Sequence, residues 1–190
     1  MPRLFIALSI PVAVDNALRE ICHSVSGARF TLPGNFHLTL RFMGELNFKA
    51  FSDLRGALHG IRAEPFTLAV RGVGHFPLRG APRALWAGAS VNDVGPQDSP
   101  LDPLTRLQRK VEKTVVALGH KPEGRNFHAH VTLARLSAGH GISERVAQFL
   151  ATNSLFRAEP IAVNAFHLYS SRAKNDGRQY QIEQSYPLNE

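Results

Sequence analysis

Two short stretches of this chain carry the same chemistry-bearing pattern, His37-Leu38-Thr39-Leu40 and His130-Val131-Thr132-Leu133. In an extended backbone, side chains at i and i+2 share a face, so each stretch offers an imidazole and a hydroxyl on one side and two aliphatic groups on the other. Imidazole takes and gives a proton near neutral pH, and a threonine hydroxyl can hydrogen-bond an anion. Two such strands brought face to face would line a cleft with two proton-transfer groups and two anion ligands, an inventory suited to phosphoester chemistry. Random placement of the chain's nine histidines and seven threonines would give His-x-Thr roughly 0.3 times, so a single copy would carry little weight. Two copies, each flanked by aliphatic residues, carry much more.

The rest of the composition is compatible with such a site. The chain has 190 residues, 44% apolar and 19% charged, which is ordinary for a folded domain and excludes disorder as the expectation. Its net charge of +7 favours an anionic partner, and 17 of the 22 basic residues are Arg, whose planar fork grips phosphate bidentately. A single cysteine, Cys22, excludes an intramolecular disulfide and falls in a helical apolar pattern that favours packing over catalysis. No apolar run has the length of a membrane span, and no stretch reads as a signal peptide, so the expectation is a cytoplasmic protein with no membrane partner.

The elements that must position the motifs can be read from periodicity. Leu4 to Ile10 reads as a buried strand, and Val14, Leu18, Ile21 and Val25 as the stripe of a first helix. Phe36 to Phe42 is the first motif strand, closed by Gly44. Phe51, Leu54, Leu58 and Ile61 mark a second helix, and strands follow over 66–73 and 84–90. Asn92 to Pro103 holds three prolines and no periodicity, as a linker would. Then the order returns. Leu104, Leu107, Val111, Val115 and Leu118 form a helical stripe, Phe127 to Arg135 is the second motif strand, Ile142, Val146, Phe149 and Leu150 mark a helix, and 161–170 with 178–182 form a hairpin turning at Asn175-Asp176-Gly177. The unit helix, motif strand, helix, strand, strand thus occurs twice, over about 11–91 and about 103–184, within one domain spanning 1–190. The expected architecture is α+β and bilobal: two antiparallel sheets facing across a central cleft, helices outside, related by a pseudo-two-fold axis.

The doubled motif resembles the signature of the 2H phosphoesterase superfamily. Arg3-Leu4-Phe5-Ile6-Ala7, Asn35-Phe36-His37-Leu38-Thr39-Leu40-Arg41-Phe42-Met43-Gly44, the second motif with its trailing Arg135, and Leu168-Tyr169-Ser170-Ser171 are similar to the RNA 2′,3′-cyclic phosphodiesterases, also called 2′-5′ RNA ligases. That resemblance implies hydrolysis of an RNA 2′,3′-cyclic phosphate end to a 2′-phosphomonoester, with no metal and no cofactor. In some members it also implies reversible joining of 2′-5′ linkages. A monomer is expected.

Opening a cyclic phosphate needs a base on water, an acid on the departing ribose oxygen and donors for the non-bridging oxygens. His37 and His130 suit the first two roles and Thr39 and Thr132 the third. The resemblance makes His37 the acid and His130 the base, an order the residues alone leave open. It also makes Arg135 a phosphate ligand, although its odd offset from His130 puts it on the opposite face of a regular strand, so that it needs a bend or the strand end to reach the site. Phe42 stands in the same relation to His37 and could stack on a terminal base. His128 shares the face of His130 and could orient it. Tyr169 and Ser170, with His167, could line the cleft from the last hairpin. Two other readings compete: a metal-dependent phosphodiesterase with His128 and His130 as ligands, and a non-catalytic RNA-binding module.

Overall fold

A computed structural model describes residues 3–23, 25–91, 102–137, 142–174 and 177–189, and among the described residues it forms thirteen elements. Of the linker expected over Asn92–Pro103, residues 92–101 lie outside the described residues, as do the turn residues Asn175 and Asp176, while Asp102 and Pro103 start a helix. In order these are β1 (Arg3–Ser9), α1 (Val12–Ile21), β2 (Ala28–Phe30), β3 (His37–Glu45), α2 (Phe48–Leu58), β4 (Phe66–Phe76) and β5 (Ala84–Val91). They continue with α3 (Pro103–Ala117), β6 (His130–Leu136), α4 (Ile142–Thr152), β7 (Ile161–Val163), β8 (Ala165–Lys174) and β9 (Gly177–Pro187).

The helices form where the apolar stripes require them. Val14 and Leu18 of α1, Leu54 and Leu58 of α2, Leu104, Leu107, Val111 and Val115 of α3, and Ile142, Val146 and Phe149 of α4 are all buried. Each large aliphatic group removed from water contributes about 1.5–3 kcal/mol, which makes these stripes the principal reason the helices stay on the sheet. Starts are set by side chains that accept otherwise orphaned backbone N–H groups. Asn47 accepts from Ala50 ahead of α2, and Asp102 accepts from Thr105 ahead of α3, where Pro103 takes the first turn. Leu118 falls just past the end of α3 and is partly exposed.

The strands form one antiparallel sheet in the order β7-β4-β5-β6-β3-β1-β8-β9, with β2 paired to β6. The class is α+β, as the patterning indicates. The two expected sheets are halves of this one, β7-β4-β5-β6 and β3-β1-β8-β9, joined at the two motif strands by a single register pair, Leu38 with Val131. Beyond that pair the strands part company. β6 continues alongside β2, which lies end to end with β3 on the same edge, while β3 continues alongside β1. The motif strands are therefore side by side at a joint, where the sequence pattern suggested strands facing each other. The halves are also interleaved, because the β4–β5 hairpin of the first repeat pairs with β6 of the second, and β1, which precedes the first repeat, joins its motif strand β3 to the β8–β9 hairpin of the second.

The helix-side face of the sheet supplies the main core, including Leu4, Ile6 and Leu8 of β1, Leu38 and Leu40 of β3, and Val131, Leu133 and Ala134 of β6. On the opposite face, Phe5, Ala7 and Tyr169 form a separate small cluster with Tyr180 against it. That second face carries the histidines.

Candidate active site

Two β-bulges decide what reaches the motif face. On β3, Thr39 lies opposite Ala7 and Arg41 opposite Ile6, so Leu40 is an extra residue in the ladder. The alternation slips by one. Arg41 then shares the helix-side face with Ile6, and Phe42, opposite Phe5, returns to the face of His37 and Thr39. β6 repeats the device: Thr132 lies opposite Trp86 and Ala134 opposite Leu85, so Leu133 is extra. Arg135, opposite Ala84, is turned onto the face of His130 and Thr132. The bend that Arg135 requires is thus present, and the equivalent bend serves Phe42.

Arg41, sent to the other side, ties the two motifs together. Its guanidinium lies 3.0 Å from Glu112 of α3 and 3.1 Å from Glu123, and it donates to the carbonyl of Lys121, in the segment that leads into β6.

The single Leu38–Val131 pair fixes the register of the site. One step to either side, antiparallel pairing sets His37 beside Thr132 and Thr39 beside His130, all four on the face opposite the aliphatic residues. The two imidazoles are held by the same local device. His37 Nδ1 lies 2.7 Å from the carbonyl oxygen of Asn35, and His130 Nδ1 lies 2.6 Å from that of His128. A carbonyl only accepts, so in each ring Nδ1 is the donor and carries hydrogen, and Nε2 is left as the proton-exchanging atom. The carbonyl under His37 is itself placed. The Gly34 N–H, at a residue with φ of 74°, donates to the buried Asp15 of α1, and the Asn35 side chain donates to the Arg178 carbonyl of β9.

Burial lowers the pKa of both histidines below the ordinary 6.5. The Asn35 carbonyl opposes this at His37, while the charge of His130 adds to it. At His130 the His128 carbonyl opposes, and the charges of His128 and Arg135 add. Lowered pKa values that respond to nearby charge let the charge of an anionic ligand decide which ring holds a proton. Among the described residues, neither the Thr39 nor the Thr132 hydroxyl is engaged by a neighbouring group.

Aromatic rings wall the site on both sides. Phe5 lies 4.7 Å from the His37 ring and stacks on Tyr169 at 5.0 Å, and Tyr180 meets His37 edge-on at 5.1 Å. Around His130, Phe76 approaches edge-on at 4.9 Å, and Trp86 lies against His128 at 5.0 Å. Of the residues suggested by the sequence, Tyr169 is on the site face but mostly covered, with burial pushing its phenol up to about 12. Phe42 is on that face and 55% exposed. His128 supports its neighbour through its backbone carbonyl, while its ring packs on Phe76 and Trp86. His167, opposite Ala7, faces the site and contacts Ser185 at 2.9 Å, with its pKa lowered by burial. Ser170 is not brought to the site. It lies opposite Leu4 on the helix-side face, fully buried, and its hydroxyl donates to Glu183. Tyr180, Phe76 and Trp86 lie outside the motifs, and Phe5 and Asn35 lie in stretches that resemble the family without a role assigned to either. Phe5 alone leaves a trace, as the aromatic residue out of phase with Leu4, Ile6 and Leu8.

Residues 8–86 and 94–178 match the LigT-like phosphoesterase family along most of the chain. The chain belongs to the LigT-like phosphoesterase family. This LigT-like phosphoesterase is 31% identical over 137 residues to an RNA 2′,3′-cyclic phosphodiesterase of Archaeoglobus fulgidus, covering 70% of this chain and 72% of that one. It is 27% identical over 188 residues to that of Thermotoga maritima, covering 95% and 92%. A match to the enzyme of Aeropyrum pernix, at 35%, spans 57% of either chain. A crystal structure from Thermus thermophilus superimposes with a TM-score of 0.76 at 26% identity, covering 98% of this chain and 97% of that one. Escherichia coli LigT with 3′-AMP shares the fold, with a TM-score of 0.76 at 22% identity over 100% and 99% of the two chains. No helix among the described residues is long and apolar enough to cross a membrane.

Proposed function

We propose that this LigT-like phosphoesterase hydrolyses RNA 2′,3′-cyclic phosphate ends to 2′-phosphomonoesters by metal-independent acid–base catalysis. The observation that carries the reading is the matched pair of imidazoles, each with Nδ1 on a carbonyl two residues back and each beside the other motif's threonine. The names of the A. fulgidus and T. maritima relatives support the substrate class.

In the reaction, His130 Nε2 takes a proton from water as its oxygen attacks phosphorus. The bond from phosphorus to the 3′-oxygen breaks, and His37 Nε2–H gives its proton to that oxygen. Attacking and leaving oxygens lie on opposite sides of phosphorus, which is why the two rings belong on two strands. Thr39 and Thr132 donate to the non-bridging oxygens, and Arg135, brought round by the bulge, offsets their charge. The turnover leaves His130 protonated and His37 neutral, and exchange with solvent restores the starting pair. A 5′-hydroxyl in place of water would make the same machinery a 2′-5′ ligase. Phe42 offers an exposed ring for a terminal base.

Incubation of a cyclic-phosphate-ended oligonucleotide, with and without EDTA, and chromatography against authentic 2′- and 3′-phosphate standards tests the proposal. The expected product is the 2′-phosphate, at a rate indifferent to EDTA, abolished by His37→Ala or His130→Ala and slowed roughly 10²-fold or more by Thr39→Val or Thr132→Val. A 3′-phosphate product would reverse the histidine roles. Loss to EDTA with recovery on zinc or manganese would favour a metal site built on His128 and His130, and RNA binding without turnover would favour a binding module.

A further inference from the structure

His37 stands at one end of the β1–β3 ladder, opposite Ser9. The β8–β9 hairpin runs past the other end, where Ser171 lies opposite Arg3, and Arg178 lies opposite Ala173 beyond it. Ser9 and Arg3 are about 20 Å apart along the strand at the usual rise per residue. Yet the side chain of Asn35, two residues before His37, donates to the Arg178 carbonyl at 2.6 Å. Tyr180, two residues further along β9, meets both Phe5 and the His37 ring edge-on. The end of the hairpin therefore bends back across the motif face as an arm, and Asn35 is where that arm is fastened.

Asn35 is pinned on three sides. The Gly34 N–H before it is held by the buried Asp15, its own carbonyl accepts from His37 Nδ1, and its side chain holds the arm. With the preceding amide and the side chain both tied, the carbonyl keeps one direction, toward the ring. The second motif is supported differently: the carbonyl under His130 belongs to His128, whose ring is held by packing on Phe76 and Trp86. The bond that the other ring nitrogen makes decides which nitrogen of a neutral imidazole carries hydrogen. We propose that Asn35 is a positioning residue for His37, its side-chain amide holding the Tyr180 ring of the arm against the imidazole and keeping the Asn35 carbonyl under Nδ1, so that Nε2 is the atom offered to the substrate. This rests on the reading of His37 as the acid of a cyclic phosphodiesterase, and a measurement on the ligand-free protein separates the two.

Three variants separate the donor from the shape of the side chain. Asn35→Ala removes the bond, Asn35→Asp keeps the size and loses the donor, and Asn35→Gln keeps an amide donor. Kinetics on a dinucleotide ended by a cyclic phosphate are read at the maximum of each variant's pH profile, so that the carboxylate added by Asn35→Asp does not count through its charge on His37. Asn35→Ala and Asn35→Asp should each lower kcat roughly 10-fold with KM little changed, the size expected of one neutral hydrogen bond. Asn35→Gln should keep part of the rate. Nitrogen-15 NMR of the ligand-free protein at pH 8, where both rings are neutral, reads the tautomers directly. In the unaltered protein both His37 and His130 should carry hydrogen on Nδ1. In Asn35→Ala and Asn35→Asp, His37 should move toward a mixture that includes Nε2–H while His130, on its own carbonyl, stays as it was. An equal change at both rings would mean general loosening and overturn the proposal, as would an Asn35→Asp variant with unaltered kcat and an unaltered His37 tautomer. No turnover by the unaltered protein, with the His37 tautomer still dependent on Asn35, would overturn the catalytic reading and leave the positioning role standing.

Discussion

At the scale of residues, the carbonyl under each imidazole matters as much as the motif. A histidine on a polar strand face has two tautomers and a free ring. His37 and His130 have neither freedom, because Asn35 and His128 fix Nδ1 as the donor. Burial then lowers both pKa values below 6.5. Acid–base catalysis needs one ring charged and one neutral, and the fraction of protein in that state peaks between the two values. The expected kcat/KM profile is a bell with its maximum on the acid side of 6.5, and a maximum above neutrality would contradict the arrangement. A bound phosphate stabilises imidazolium, so the kcat profile should lie at higher pH than that of kcat/KM. The motif residues were legible in the sequence because type and spacing carry them. The carbonyls were not, since every residue has one and only the fold decides which points at a ring.

At the scale of elements, the legible part was the periodicity, and the illegible part was where it slips. Helix stripes and strand alternation place α1 to α4 and most strands within a few residues of their positions. β2, three residues long, is too short to alternate. The bulges at Leu40 and Leu133 are invisible because the inserted residues are ordinary buried leucines. Simple alternation would put Arg41 in the site and leave Phe42 and Arg135 out of it, and the slip reverses all three. A similar constraint of close approach holds the His130 wall. Gly74 lies opposite Trp86, and a Cβ built on it would overlap the indole ring. Gly74→Ala should push Trp86 into His128 and its neighbours, costing about 1–3 kcal/mol from overpacking. Turnover should fall, because the displaced ring disturbs His128, whose carbonyl holds the base. Urea unfolding together with steady-state kinetics would show it, and a variant with unchanged stability and kcat would refute the packing argument.

At the scale of the whole molecule, the same burial that tunes the site sets the response to acid. His37, His130 and His167 all have pKa values lowered by burial, so between those values and 6.5 the unfolded chain binds more protons than the folded one. Their contribution to stability is complete above pH 6.5 and is lost as pH falls through it. The urea midpoint should therefore drop between pH 8 and pH 5, and should drop less in a His37→Ala, His130→Ala double variant.

The interleaving has a larger consequence for folding. Dividing the chain after Val91 leaves the first part with β1 paired to β3 and β4 paired to β5, and the second with the β8–β9 hairpin and the lone strands β6 and β7. Two-stranded pieces are marginal at best in water, and the helices of each part would lack most of the sheet they cover. The repeat visible in the sequence is thus a unit of element order, whereas each half-sheet draws strands from both parts. Residues 1–91 and 92–190 produced separately should each lack a cooperative unfolding transition, and produced together they should recover both the transition and the activity. A sigmoidal thermal melt from either part alone would show that a repeat can fold by itself, and would overturn the view that the two halves complete each other's sheets.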